Sequence, residues 1–283
     1  MDWPKIKTIL IFVLLVTNIV LGVTYISDQQ RYETEIRDNL QDVIKLYANK
    51  GIKITANPLE FPRTLRSVNI QFRTFDASLI ERLLGEASIF DGEKYSSEPF
   101  TVELDETKLI YADQAHYNRI IQDKYANIFQ FRQIEIDEER QLLAQTFLDR
   151  IGMGNIYDDV IWREIGDYTL ATYEQHYEGV TLIESAASLW IYNGEIVGFV
   201  AENQVNISDT VGAKYDIISV DRALYSLLPK MDQREAIEVI EIVYKLNDDN
   251  LLVSDLVLGE AFPYYRIVLS SGMEYHIRAV ANQ

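Results

Sequence analysis

Residues 8–27 read TILIFVLLVTNIVLGVTYIS, twenty consecutive residues without a charge, thirteen of them Leu, Ile, Val or Phe. As a helix such a run is about 30 Å long, which matches the hydrocarbon core of a bilayer. Each of these apolar residues contributes roughly −0.3 to −0.6 kcal/mol near the bilayer centre, and Thr17, Asn18 and Thr24 offset part of the gain. Two alternatives compete with a membrane span. A helix apolar on all faces also suits the core of a soluble protein. A cleaved signal peptide normally has about 7–15 apolar residues followed by a small-x-small site. Here the run is longer, and its exit, Gly22-Val23-Thr24-Tyr25-Ile26-Ser27, lacks an A-x-A pattern. The expectation is a retained transmembrane helix over residues 8–27.

The flanking charges orient it. Lys5 and Lys7 precede the span beside a single Asp2, whereas Asp28, Arg31, Glu33 and Glu35 follow it. The excess of positive charge at the short end predicts that residues 1–7 lie in the cytoplasm and residues 28–283 outside. The span also has a polar centre. Asn18 stands beside Thr17, and Gly22 follows one turn later. An amide in lipid seeks a partner, and a neighbouring helix supplies one at about 0.6–2 kcal/mol per contact. Thr17, Asn18 and Gly22 are therefore candidates for contact with another membrane helix. The alternative is that Asn18 bonds its own backbone or reaches toward the interface.

Beyond the span, Ile36, Leu40, Val43, Ile44 and Tyr47 recur at three- and four-residue spacing, and Gly51 is placed to stop the helix. Residues 28–50 thus read as a stalk or first ectodomain helix, able to continue directly from the span. The 36–40–43–47 spacing resembles a coiled-coil seam over two heptads; a core-facing amphipathic helix fits it as well.

No Pro/Gly/Ser-rich linker divides the rest. Residues 51–135 read as a first α+β subdomain. Short strands are expected at Ile52–Thr55, Ser67–Arg73, Phe100–Leu104 and Lys108–Tyr111, with helices at Asp76–Leu84 and His116–Tyr125. Residues 136–283 read as a second. Asp137 is placed to cap a helix whose apolar face is Leu142, Leu143, Phe147 and Leu148, and Gly152 and Gly154 end it. Strands are expected at Tyr157–Ile165, Tyr168–Tyr177, Gly179–Ser185, Ser188–Tyr192 and Ile196–Asn206. Asn193-Gly194 is a type I′ hairpin signal. A helix at Val220–Leu228 precedes Pro229, then come strands at Glu235–Leu246, Leu251–Leu258 and Tyr264–Leu269, and Met273–Val280 closes the chain. Mostly sequential strands with few helices predict an α+β fold, antiparallel sheets with helices packed on them.

Composition narrows the function. The chain of 283 residues has 26 basic and 44 acidic residues, a formal net charge of −18. That opposes non-specific nucleic-acid binding, which needs cationic surface. Residues 28–135 hold 14 basic and 18 acidic residues, whereas residues 136–283 hold 10 and 25. The acidic second half is either a solvated surface or a field that orients a basic partner. The absence of cysteine excludes disulfides, thiol catalysis and cysteine–zinc sites.

No motif for catalysis or a cofactor emerges. His116, His176 and His276 fall in no zinc spacing, and each reads as a surface residue. No G-x-S-x-G, S-x-x-K or P-loop pattern occurs. Gly152-Met153-Gly154 reads as a turn. Asn247-Asp248-Asp249-Asn250 lacks the alternating ligands of an EF-hand and reads as a hairpin turn. With so many carboxylates a glycosidase pair can always be imagined, so abundance carries no information. Tyrosine is frequent, at 18. Trp162, Trp190 and Tyr265 could line a peptide groove, or serve core and sheet packing.

The start, Met1-Asp2-Trp3, Lys5 and Lys7-Thr8-Ile9 with an aliphatic run to Asn18, resembles the YycI family, also called WalI. Leu189–Val200 with its Gly194-Glu195-Ile196 turn resembles the middle of that family. So does Ala223-Leu224-Tyr225 with Leu227, followed by the strand Ile237–Leu246. The resemblance spans essentially the whole chain. Where the family commonly has a Pro-x-Trp-Arg segment, this chain has Phe262-Pro263-Tyr264-Tyr265-Arg266. The closing Tyr275-His276-Ile277-Arg278-Ala279 replaces a strand ending in Asn-Ala. The resemblance implies a non-enzymatic, cofactor-free membrane protein of low-GC Gram-positive bacteria. It would act with a YycH-like partner on a sensor histidine kinase, YycG or WalK, that governs cell-wall metabolism. It also implies an ectodomain similar to the C-terminal domains of YycH, and contact through transmembrane helices. The alternative reading is an anchored extracytoplasmic module that binds peptide or cell-wall fragments.

Overall fold

The computed structural model describes residues 3–57, 61–86, 88–105, 107–123, 131–231, 235–246 and 258–281. In chain order the elements begin with α1 (Trp3–Asn49), β1 (Lys53–Ile54), β2 (Thr64–Phe72), α2 (Ser78–Leu84), β3 (Ile89–Phe90), β4 (Tyr95–Ser97), β5 (Phe100–Leu104) and β6 (Lys108–Asp113). Then come α3 (Tyr117–Asp123), α4 (Glu138–Ile151), β7 (Asp159–Ile165), β8 (Tyr168–Tyr177), β9 (Val180–Tyr192), β10 (Glu195–Glu202) and β11 (Val205–Asp216). The chain closes with α5 (Val220–Leu227), β12 (Ala236–Leu246), β13 (Leu258–Leu269) and β14 (Glu274–Arg278). The fold is α+β, an N-terminal apolar helix with a sheet-rich remainder. It divides into two compact units, residues 1–53 with 219–234, and residues 54–218 with 235–283.

The first unit is helical. Its 47-residue helix α1 is unbroken, about 70 Å long at 1.5 Å per residue. It stops where Gly51 adopts φ 80°, with the Ile52 N–H returning to the Tyr47 carbonyl at 3.0 Å. This is the left-handed helix stop that glycine makes without strain. Burial follows the predicted face: Ile36, Leu40 and Ile44 are half-buried, and Val43 and Tyr47 are buried. Spliced into this unit is α5, which buries Val220, Ala223, Leu224 and Leu227.

In the second unit β9 organises the sheet. One of its edges pairs antiparallel with β8, which pairs in turn with β7. Its other edge serves two neighbours in succession: β12, parallel at Thr181 and Leu182, then β10, antiparallel from Ala187 to Tyr192. The sheet therefore forks. One branch continues β10-β6-β5-β4-β3 and the other β12-β13-β2-β11, with β14 beside β13. Strands from either side of residue 135 pair directly, as in Phe199 opposite Tyr111.

Two cores lie on opposite faces of the first branch. One gathers Phe147, Leu148 and Ile151 of α4 and Leu79, Ile80 and Leu83 of α2 over Trp162, Tyr173, Leu189 and Phe199. The other sets Ile120 of α3 over Ile110, Leu170, Trp190 and Val200. Asp137 caps α4 by accepting from the Arg140 N–H at 2.8 Å, and Gly152 ends it at φ 75°. The β9–β10 turn has positive φ at both Asn193 and Gly194, the type I′ geometry foreseen from sequence.

Two expectations change. Gly179–Ser185 and Ser188–Tyr192 are one strand, β9, because β8 runs beside both. Ile196–Asn206 is not one strand. Asn203 takes φ 50° and the chain breaks there into β10 and a previously unassigned β11. The expected hairpin turn at 247–250, and most of the strand expected at Leu251–Leu258, lie outside the described residues.

Candidate functional site

Within α1, residues 10–27 are long and apolar enough to cross a membrane. None of the side chains from Leu10 to Ile26 is buried in the protein, so this stretch is not a core helix of the chain. Its hydroxyls are satisfied along the same helix. Thr17 donates to the Val13 carbonyl at 2.9 Å, and Thr24 to those of Val20 and Leu21 at 3.0 and 2.9 Å. A water-free setting requires this of isolated hydroxyls. The Asn18 amide is exposed and finds no hydrogen-bond partner among the described residues. Gly22, one turn on, leaves a notch where an added Cβ would touch nothing within 4 Å. Lys7 is exposed, and the Lys5 side chain lies outside the described ones.

The base of α1 is clasped by α5. The Tyr47 hydroxyl donates to the Leu224 carbonyl at 2.7 Å. The Lys50 ammonium donates to the Leu228 carbonyl at 2.9 Å, a cation at the negative end of a short helix.

The three aromatics considered for a groove are separated and buried. Trp162 lies in the core under α4, and Trp190, wholly buried, lies in the core on the opposite face. Tyr265, on β13, meets Phe61 edge-on at 5.2 Å and donates to the Ile218 carbonyl at 2.7 Å. They pack cores and do not line one groove.

The fork carries the chemistry that sequence alone did not show. Tyr173 of β8 faces Ala187 of β9, but Gln175 faces Leu182, so residues 183–186 of β9 stand opposite Glu174 alone. Extra residues of this kind bend a strand and re-aim its side chains. The freed backbone is satisfied by three buried side chains. The Ser185 hydroxyl bonds the Gln175 amide oxygen and accepts from the Val205 N–H at 3.2 Å. The Gln175 amide donates to the Val205 carbonyl at 3.2 Å. Gln204 donates to the carbonyls of Ala186 and Glu202 at 2.9 and 3.0 Å, and accepts from the Tyr157 hydroxyl at 2.8 Å. A fully bonded network of this type holds the two branches at a defined angle.

A layer of charge lies nearby. Buried Arg266 of β13 pairs with Glu241 of β12 at 2.6 Å. Burial raises the Glu174 carboxyl above its ordinary value, opposed chiefly by Arg266. Burial also pushes Glu184, in the extra segment of β9, up to about 7, while the Leu246 N–H and the charges of Lys245 and His276 act against it.

The histidines are spread apart. His116 does not sit on a helix surface. It precedes α3, with Nδ1 2.7 Å from the Tyr168 hydroxyl and its ring against Tyr192. His276 Nε2 is 3.5 Å from Glu274, and His176 is half-buried on β8. Among the described residues no group of three or more His, Cys, Asp or Glu is placed to hold a metal ion.

No family model matches the chain, and no curated protein matches it. Solved structures do. An uncharacterized protein from Eubacterium rectale is similar at TM-score 0.49 and 9% identity, over 78% of this chain and 80% of that one. YycH from Bacillus subtilis is similar at TM-score 0.44 and 11% identity, over 75% of this chain. This chain spans about half the length of that YycH chain, 52%. The Bacillus megaterium YpeB C-terminal domain is similar at TM-score 0.32 and 12% identity, over 74% of this chain and all of that domain. Likeness at these identities bears on fold alone.

Proposed function

We propose that this protein is a membrane-anchored, non-enzymatic accessory regulator of a sensor histidine kinase that controls cell-wall metabolism. In this reading it is a YycI-like (WalI-like) protein working beside a YycH-like partner and a YycG/WalK-like kinase. The observation that carries the reading is α1. One unbroken helix bears the apolar stretch Leu10–Ser27, exposed from Leu10 to Ile26, with an amide at its centre that has no partner among the described residues. The same helix ends on a buried clasp with α5. An amide in hydrocarbon needs a partner, and another protein's membrane helix is the available source. Differential packing of α1 on two states of a kinase, worth about 1–3 kcal/mol, would change signalling roughly 5–150-fold.

Lys5 and Lys7 favour a cytoplasmic N-terminus, which puts the folded sheet outside the cell. The chain has no cysteine, so single-cysteine variants report topology cleanly. Glu195→Cys should react with a membrane-impermeant maleimide on intact cells and Lys7→Cys should not. The reverse pattern overturns the orientation.

The functional test is co-purification from native membranes, comparing the intact chain with one whose residues 1–27 are replaced by an unrelated transmembrane helix. A sensor kinase recovered only with the native helix supports the proposal. Equal recovery with both anchors moves recognition to the folded part, and recovery with neither overturns the kinase reading.

A further inference from the structure

The fork in the sheet leaves a cleft of about 480 Å³ between the α4–β7 turn and the start of β11. That volume falls within the roughly 300–1,000 Å³ of small-molecule sites. Its floor is Gln175, whose amide is committed to Val205 and Ser185. The groups left to meet a ligand are Arg73, Asp149, Asn155 and Asn206.

Arg73 follows the end of β2, and its N–H is held by the Gln204 carbonyl at 2.7 Å. Its side chain is half-buried, and among the described residues no carboxylate pairs with the guanidinium. Asp149 stands in the last turn of α4, the negative end of that helix, and accepts from Gln145 at 3.0 Å. The turn makes room for it. A Cβ at Gly154 would fall 1.8 Å from the Asp149 Oδ1, so only glycine lets this carboxylate stand where it does. Asn155 and Asn206, both exposed, add neutral donors and acceptors around the cleft.

The charges select the ligand. An apolar molecule would desolvate Arg73 and return no hydrogen bond. A phosphate-like dianion would be drawn to Arg73 but repelled by Asp149 and the helix end. A molecule with a carboxylate at one end and an ammonium at the other satisfies both walls: the carboxylate takes the planar fork of Arg73, and the ammonium takes Asp149. We propose that this cleft binds a small zwitterion, a short peptide whose amino and carboxyl termini are both free. The site stands apart from the kinase reading, because all its residues belong to the second unit and none to the N-terminal helix.

The test is calorimetry on the full chain in detergent micelles, with L-alanyl-L-alanine as probe. Saturable binding is expected. Loss of one charge-assisted contact should weaken it about tenfold or more. That loss is expected in Arg73→Gln, and equally for the wild-type chain with the dipeptide amide or the N-acetyl dipeptide. The two capped peptides probe both walls without altering the protein, so they remain decisive even where a variant folds poorly. Absence of saturable binding up to about 10 mM overturns the proposal. So does binding indifferent to Arg73→Gln and to both caps. Inorganic phosphate binding as tightly as the dipeptide overturns it as well, since the cleft would then be an anion site.

Discussion

The hydroxyl of Tyr47, in the last turn of α1, reaches the main-chain carbonyl of Leu224 in α5 at 2.7 Å, 177 residues further along the chain. Tyr47 is fully buried, and burial holds its phenol well above the ordinary range, so it stays a donor at any physiological pH. The same carbonyl also accepts from the Leu228 N–H, so it is not orphaned if the phenol is lost. Tyr47→Phe should therefore lower stability by only about 1 kcal/mol. Urea denaturation of the full chain in detergent checks this. An unchanged midpoint would show that the bond contributes nothing to the clasp.

Gly212 of β11 is a second pressure point. A Cβ there would fall 2.0 Å from the Ser67 carbonyl oxygen of β2, and main chain cannot swing aside as a side chain can. The β11–β2 ladder shifts register between Ile207 and Val211 and again between Val211 and Lys214, the interval that holds Gly212. Gly212→Ala should cost about 1–3 kcal/mol through strain, with a clearly lower thermal midpoint. A midpoint equal to wild type would mean that the two strands separate freely there.

Glu184 makes stability depend on pH. Its folded pKa, raised to about 7 by burial, lies above the ordinary carboxyl value of 4.5. The folded state therefore binds the proton more tightly than the unfolded one, and this group's contribution is complete below about pH 4.5. It is lost as pH rises through about 7. Glu184→Gln should flatten that part of the stability–pH curve and leave the variant more stable than wild type at pH 8. Parallel curves for the two proteins would remove Glu184 as the cause.

Asn18 offers a test of the proposed anchor that leaves the folded part untouched. Asn18→Leu should insert at least as well as wild type, because it replaces a polar group at the centre of the apolar stretch. On the proposed function, recovery of a co-purifying kinase should fall several-fold, in line with the roughly 0.6–2 kcal/mol of an interhelical amide contact. Unchanged recovery and signalling would take this residue out of the interface.

Much of the local structure was legible in the amino-acid order, because it depends on neighbours within a few residues. The apolar run at 8–27, the Asp137 cap, the Gly51 and Gly152 stops and the Asn193-Gly194 turn are each set by short-range sterics, hydrogen bonding or solvation. The periodicity from Ile36 to Tyr47 marked the buried face of α1, although nothing in it named Leu224 as the partner.

Tertiary structure decided what depends on distant pairing. Gly179–Ser185 and Ser188–Tyr192 look like two strands because Ala186 and Ala187, small residues with weak strand preference, lie between them, and only β8, running beside both, makes them one. The fork follows from that pairing. It buries Gln175, Ser185 and Gln204, polar residues with no local signal, because β10 and β12 share one edge of β9 and leave main chain to be satisfied between them. Trp162, Trp190 and Tyr265 were chosen from residue type alone, which measures apolar area and cannot say which face of a sheet will be covered. Arg73, Asp149 and Asn206 lie 76 and 57 residues apart in sequence and meet in one cleft because the ends of β2 and α4 and the start of β11 converge at the fork. Order along the chain determined the apolar N-terminal stretch and the turns. Long-range hydrogen bonding, which no local pattern encodes, determined where the charged groups gather.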